Sequence, residues 1–497
     1  MEKVGFGDCS TAASHSVAHA RPAPTANLRG SIVIIGKLLS RGGAMAVAVC
    51  LLALFPSRAK CFQRLRQGET LTLRRAIALT LENHPRGLEM RQEASAAQAR
   101  TGEAQSRLLP QVFGAAEYMR ATDNPIGNVT YMNPGFIPRI TGTLHGGPPI
   151  PNQSFSSINS FLGGVGVDQY LFDFGRVRGQ IQERAQQARA AQEESEYTDL
   201  QLVFEATQRY FALLAARRKV KVYEKAVAQR NEQLHDAQVK YAAGLRSDID
   251  VLTAKSVLER ARTSLVQARN TQAVARVALD NAMGFGHDAP SYKVVDVLSY
   301  QPVSASVDSY FTTALELRPD LKMLKAEVKA AGAQIRIARS DYFPTGNAVA
   351  GYTGMGTGLP AANNYDVGIV ITWPIFNGFL TTREVDEAKA QRNAMGYAMR
   401  DLELRIWLQV KSAYLQLQTA VQQIKQARAA LQASQSELDL AQKRYEIGLG
   451  NIIELTIAER FYIQNDAAYV DALYGYAVAK ASLRSATATS LPSEHQH

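Results

Sequence analysis

Cysteine is nearly absent: Cys9, Cys50 and Cys61 are the three in a chain of 497 residues. Three cysteines cannot frame a disulfide-held fold of this size, and no CxxC is present to hold zinc. The eight histidines are scattered, without an HExxH or a His/Cys pairing, so no metal site is expected. Neither GxxxxGK[ST] nor GxSxG occurs. Gly351, Gly354, Gly356 and Gly358 have no helix start behind them to seat a phosphate, and read as a loop between strands. No cofactor and no catalytic centre are expected. Excess charge is also modest once located. The net charge is +10, but residues 1–60 carry seven Lys/Arg against two acids, so half of the excess lies in one N-terminal segment. No basic run with interleaved aromatics follows, so no nucleic-acid partner is expected. Beyond residue 55 no segment reaches 18 apolar residues, so no transmembrane helix is expected in the exported chain.

What is present begins with an export signal. Residues 46–55, AVAVCLLALF, form a short apolar block with Lys37 and Arg41 before it and Ser57-Arg58-Ala59 after it. That order, basic then apolar then small-x-small, predicts a signal peptide within residues 1–59, cut after Ala59. Two alternatives stay open: an anchor over residues 31–55, and lipidation of Cys61, where Lys60 stands in place of a small residue.

The remainder repeats itself. Pro85 and Pro110 are matched by Pro319 and Pro344 at an offset of 234, which also aligns Glu93 with Glu327 and Tyr118 with Tyr352. From Phe172 onward the offset is 204: Phe172 meets Phe376, Tyr210 meets Tyr414, Tyr241 meets Tyr445, Gly244 meets Gly448 and Asp250 meets Glu454. The change of 30 places an insertion between Tyr118 and Phe172 whose Pro and Gly content reads as a loop. The chain is a tandem duplication.

Each copy opens with a helix of about 35 residues that ends at Leu-Leu-Pro (108–110) or Tyr-Phe-Pro (342–344), because proline lacks the N–H and forces its predecessor extended. Strands are expected near 111–120, 161–172, 345–355 and 364–374. In the last, Tyr365, Val367, Ile369, Ile371 and Trp373 alternate with other residues, giving one wholly apolar face. Its span of roughly 26 Å suits the apolar band of an outer-membrane barrel, and equally a half-buried strand of a soluble sandwich. Long helices follow, at 177–242 and 248–283 in one copy and 379–447 and 452–486 in the other. From Trp407 to Tyr445 apolar or small residues recur at steps of three and four, a coiled-coil seam. Helices about 100 Å long cannot bury such a stripe alone and must pair along their length. Residues 284–306 read as a non-helical link, and the chain after Ser485 as frayed.

Taken together, the duplicated order of Ala78-Leu79…Pro85, Leu-Leu-Pro, Leu-Phe-Asp-x-Gly (Leu171–Gly175) and Arg/Lys-Tyr-x-x-Gly-Leu at both hairpin tips resembles the TolC family of outer-membrane channels. The resemblance covers roughly residues 70–487. It implies a mixed α and β fold, with duplicated helical hairpins forming a periplasmic α-barrel and four strands given to a 12-stranded outer-membrane β-barrel. It implies residues 60–283 and 307–487 as two efflux repeats, 284–306 as an equatorial linker and 488–497 as a disordered tail. Its partners would be two further copies in a homotrimer, a periplasmic adaptor, an inner-membrane pump and outer-membrane lipid. Residues follow as well. Gly244-Leu245 and Gly448-Leu449 match a Val-Gly-Leu/Thr motif that meets adaptor hairpins; turn residues without that role are the plainer reading. Asp250 and Tyr445 match a pair that holds neighbouring hairpins closed, and Glu454 matches a carboxylate ring at the narrowest point of the periplasmic end. The family's second acid falls at Ile457 and its arginine at Gly450, with Arg246 as a candidate substitute. Asp250 and Glu454 also lie in expected first helical turns, where acids act as caps. A soluble coiled-coil scaffold or a periplasmic adaptor are the alternative functions.

Overall fold

The computed structural model describes residues 67–122, 130–132, 141–143, 157–300, 306–356 and 362–489. The signal peptide, Cys61 and the last eight residues lie outside them. β1 (Thr70–Leu71) leads into α1 (Leu73–Asn83) and α2 (Pro85–Ser106). Then come β2 (Gln111–Thr122), β3 (Thr130–Met132), β4 (Thr141–Thr143) and β5 (Ser157–Phe172), followed by a long hairpin of α3 (Arg176–Ala242) and α4 (Asp248–Ala282). After β6 (Lys293–Val294) the series recurs as α5 (Val307–Leu317), α6 (Pro319–Ser340), β7 (Thr345–Gly356), β8 (Ala362–Thr372), α7 (Leu380–Glu446) and α8 (Ile452–Ala486). Corresponding helices have equal lengths in the two copies: 11, 22, 67 and 35 residues.

Three expectations are corrected. The single opening helix of each copy is two helices, broken where His84 and Arg318 turn extended (ψ 122° in both) ahead of Pro85 and Pro319. Each proline sits at the first helical position, where its missing N–H costs nothing. The insertion is not wholly loop, since β3 and β4 pair antiparallel within it. The chain does not fray at Ser485: Ala488 N–H bonds to Ser485 O and Thr489 N–H to Arg484 O, closing the end of α8 over a buried Thr487.

β2, β5, β7 and β8 form one antiparallel sheet in that order. Its register sets Val112 opposite Val167, Val167 opposite Ala350, and Ala350 opposite Val367. Tyr118, Val165, Tyr352, Tyr365, Ile369 and Ile371 share that face, and all six are exposed. The opposite face carries Glu117, Asp168, Asn347 and Asp366, as the period of two requires. A sheet with one exposed apolar face, and a second face that mixes these polar residues with Phe113, Leu162, Val349 and Val370, differs from a soluble sandwich, whose apolar faces are buried against each other. Trp373, read as the last strand residue, stands just beyond β8 and donates its indole N–H to Tyr342 O at 3.2 Å.

The main core lies where the linker crosses the helices. Leu71, Leu79, Tyr210, Leu279, Ile406 and Val410 are buried together there. β1 and β6 pair in parallel across it. The Tyr210 hydroxyl donates to Val295 O at 2.8 Å, and Arg218 grips Asp296 with two bonds of 2.8 Å. Buried Arg318 clamps Asp320 with bonds of 2.9 and 2.6 Å and reaches Gln409 on α7. Among the described residues no helix is long and apolar enough to cross a membrane.

Candidate functional site

Both hairpin tips end their long helices in the same way. Leu245 N–H bonds to Lys240 O at 2.9 Å and Gly244 N–H to Tyr241 O at 2.9 Å, while Leu449 bonds to Arg444 O at 2.9 Å and Gly448 to Tyr445 O at 3.2 Å. This double closure needs a left-handed residue after the helix. Gly244 (φ 70°) and Gly448 (φ 80°) supply it without the penalty a Cβ would bring. The turn pushes the next side chain outward, so Leu245 and Leu449 are 73% and 72% exposed. Ile447, Ile249 and Ile453 are exposed beside them. The return helices are capped by Ser247, which accepts from Ile249 N–H at 3.4 Å, and by Asn451, which accepts from Glu454 N–H at 2.7 Å.

Of the three residues expected at a gate, the structure brings two near each other and directs the third elsewhere. Tyr445 is buried at 4% exposure, and among the described residues its hydroxyl has no hydrogen-bond partner, so no bond joins it to Asp250 within the chain. Two cations from the first tip cover its ring: Lys240 Nζ at 4.8 Å from the centroid and Arg246 at 4.9 Å. Burial raises the Tyr445 pKa; Lys240 and Arg246 oppose that shift, and Asp236 and Asp250 add to it. Arg246 also donates to Gly450 O at 3.3 Å, so it ties one tip to the other from the position opposite the missing arginine. The Glu454 carboxylate pairs with Arg444 Nε at 3.2 Å, across its own hairpin. Asp250 and Glu454 both lie in first turns, where helix dipoles favour acids.

Sequence reading missed the charge buried above the tips. Arg230 on α3 and Glu459 on α8 form an ion pair with both side chains 6% exposed. Burial raises the Glu459 carboxyl to about 7, against the pull of the Arg230 guanidinium. The two residues are far apart in sequence and sit at unrelated repeat positions, so only the packing of copy on copy could reveal them. Lys219–Asp471 (2.7 Å) joins the same two helices.

A sheet with an exposed apolar face, carried on helices of 67 residues and so about 100 Å long, is the pattern of an outer-membrane channel chain. The chain belongs to the outer membrane efflux protein family, whose pattern matches residues 76–285 and 311–489. It is 22% identical to the outer membrane efflux protein BepC of Brucella suis, over 72% of this chain and 79% of that one. It is 23% identical to the cation efflux system protein CusC of Escherichia coli, over 67% of this chain and 73% of that one. Among solved structures, the Campylobacter jejuni CmeC outer membrane channel superposes with a TM-score of 0.68 at 18% identity, over 85% of this chain and 87% of that one. The open Neisseria gonorrhoeae MtrE channel gives 0.68 at 20% identity, over 86% and 91%. The protein is an outer-membrane efflux channel with a periplasmic extension, and a soluble scaffold or adaptor is not favoured.

Proposed function

We propose that three copies of this chain close one 12-stranded barrel and one helical tunnel, and that a periplasmic adaptor and an inner-membrane pump feed the tunnel. The two repeats are residues 60–283 and 307–487, joined by the linker 284–306. One observation carries the trimer: among the described residues the four-stranded sheet ends in two unpaired edges, β2 and β8, beside an exposed apolar face. Lipid satisfies no backbone N–H or C=O, so an open edge is not tolerated there, and pairing β8 with β2 of the next copy removes both. Purified protein from the outer membrane should run as a trimer in mild detergent and lift potassium chloride conductance in planar bilayers. Monomers freed by osmotic shock would overturn the reading.

The tips carry two further roles in this proposal. Leu245 and Leu449 are the apolar anchors for the adaptor, and Gly244 and Gly448 hold them out. Asp250, Tyr445 and Glu454 belong to the gate, with Arg246 as the tie between tips and three Glu454 carboxylates around the axis favouring cations. Leu245→Asp with Leu449→Asp should abolish export from cells while the trimer forms normally; export at the normal level would remove the docking role.

A further inference from the structure

The apolar face of the sheet continues past the ends of the strands. Gly346 stands on that face opposite Ile371, and the Phe172 ring fills the space where a Cβ at Gly346 would lie. Phe174 meets Phe172 edge-on at 6.1 Å and stacks on Phe343 at 4.8 Å, and all three rings are exposed. On the same face Trp373, two residues beyond Ile371, donates to Tyr342 O, and the Tyr342 hydroxyl bonds Thr382 at 3.0 Å. Exposed aromatic rings at the end of an apolar face mark the level where hydrocarbon gives way to headgroups.

The helices beneath have two sides that differ in charge. On one, Gln334 and Asp341 of α6 and Gln180 of α3 line a cleft shared with α2 and α7. Acids and arginines mix there, with Glu103, Glu183 and Glu387 beside Arg100, Arg107 and Arg184. The far side continues the aromatic face, since Thr382 stands two residues, about 200° of helix, before Glu384 of the cleft. By the same turn Arg336 and Arg339, two and five residues after Gln334, lie on the far side of α6. Arg178 and Gln182, two residues either side of Gln180, lie on the far side of α3. All three arginines are exposed, and Arg336 donates to Gln182 across the joint. Among the described residues none of the three is in an ion pair, and Asp386, on the far side of α7, is held by Lys389 at 3.3 Å. Their repeat counterparts are Thr382, Gly102 and Gln105, so α7 and α2 carry no such triad.

Arg178 and Arg339 are each four residues from an exposed ring, Phe174 and Phe343, and so about one helical turn below it. Arg336 lies about a turn deeper. A headgroup layer is roughly 5–8 Å thick, and an arginine extends back toward it along its apolar stem. Its planar fork takes two phosphate oxygens at once. We infer that Arg178, Arg336 and Arg339 bind the phosphate of an anionic phospholipid in the periplasmic leaflet of the outer membrane, with the acyl chains lying on Phe172, Phe174 and Phe343. Charge complementarity and continuity with the lipid-facing sheet name this occupant. The bound lipid fixes the height at which the helices leave the membrane. The site rests on the sheet standing in the outer membrane, and on the ring proposed above for its three copies.

The test uses full-length trimer, stripped of lipid in detergent and titrated with phosphatidylglycerol or with phosphatidylcholine, which carries the same phosphate beside a cation. Native mass spectrometry should show phosphatidylglycerol retained about tenfold over phosphatidylcholine at low salt, at up to three per trimer. Arg178→Gln with Arg336→Gln and Arg339→Gln should bind both lipids equally. Arg100→Gln with Arg184→Gln, in the cleft, should keep the preference. Millimolar inorganic phosphate should leave the lipid in place, and phosphatidylglycerol should raise the temperature at which the wild-type trimer dissociates but not that of the triple variant. An intact trimer without the preference, a triple variant that keeps it, or release by inorganic phosphate overturns the lipid site alone. A chain that inserts into no vesicle overturns the membrane placement, and the site with it.

Discussion

The two hairpin tips share a backbone and differ in what fills them. At the second tip Leu438, Ala441, Tyr445, Ile452, Leu455 and Ala458 form a closed apolar cluster. At the first, the equivalent of Ile452 is Asp248, and the equivalent of Tyr445, Tyr241, is 50% exposed instead of 4%. One apolar residue exchanged for an acid leaves a tyrosine of the same repeat position outside its hairpin. The first tip then lends its cations, Lys240 and Arg246, to cover the tyrosine of the second. Duplication supplied two equal hairpins; side-chain divergence made one a packed body and the other its clasp.

The largest effect should come from removing that packing. Tyr445→Ala should cost about 3–5 kcal/mol of stability in the second hairpin, as for other large aromatic truncations in a core. Tyr241→Ala should cost under about 1 kcal/mol, because a half-exposed ring loses little; comparable losses by thermal or denaturant unfolding would erase the contrast. Next is the buried pair above the tips. Glu459 has a folded pKa of about 7 against an ordinary value of 4.5, so its contribution is fully present below pH 4.5 and is lost as pH rises toward and through about 7. Glu459→Gln stays neutral throughout, so the variant should gain on the wild type between pH 5 and pH 8. A constant difference between them over that range would show that the carboxyl titrates normally. A smaller effect sharpens the comparison from the other side. Asp248→Ile should bring Tyr241 into its own hairpin and add about 1 kcal/mol, read as protection of Tyr241 from surface iodination. Smallest is the backbone at the end of α8, where Ala488 holds a left-handed φ of 56° at the position Gly284 fills in the first copy. Ala488→Gly should raise stability by about 1 kcal/mol or less.

Much of this fold could be read along the chain because it is local and repeated. The offsets 234 and 204 located both copies, and the periods of two and of three to four marked sheet face and seam. The helix ends at the tips followed from glycine, and the acids in first turns from helix electrostatics. The break at Pro85 and Pro319 was also legible, since a proline is acceptable only at the start of a helix. What remained hidden depends on one copy lying against the other. Nothing in the sequence aims Arg444 at Glu454, stacks Arg246 on Tyr445 or buries Arg230 against Glu459. Those contacts arise from helix rotation and side-chain reach, which spacing along a strand of text does not encode.

The central claim is that three of these chains enclose a conducting tunnel closed at the tips. Single-channel recording in potassium chloride, with SDS-resistant trimer in planar bilayers, tests it most directly. The wild type should rest mostly closed, and Arg246→Ala with Asp250→Ala and Glu454→Ala should open to long-lived, larger conductance without losing the trimer. Intact trimers of both proteins that remain silent would contradict it.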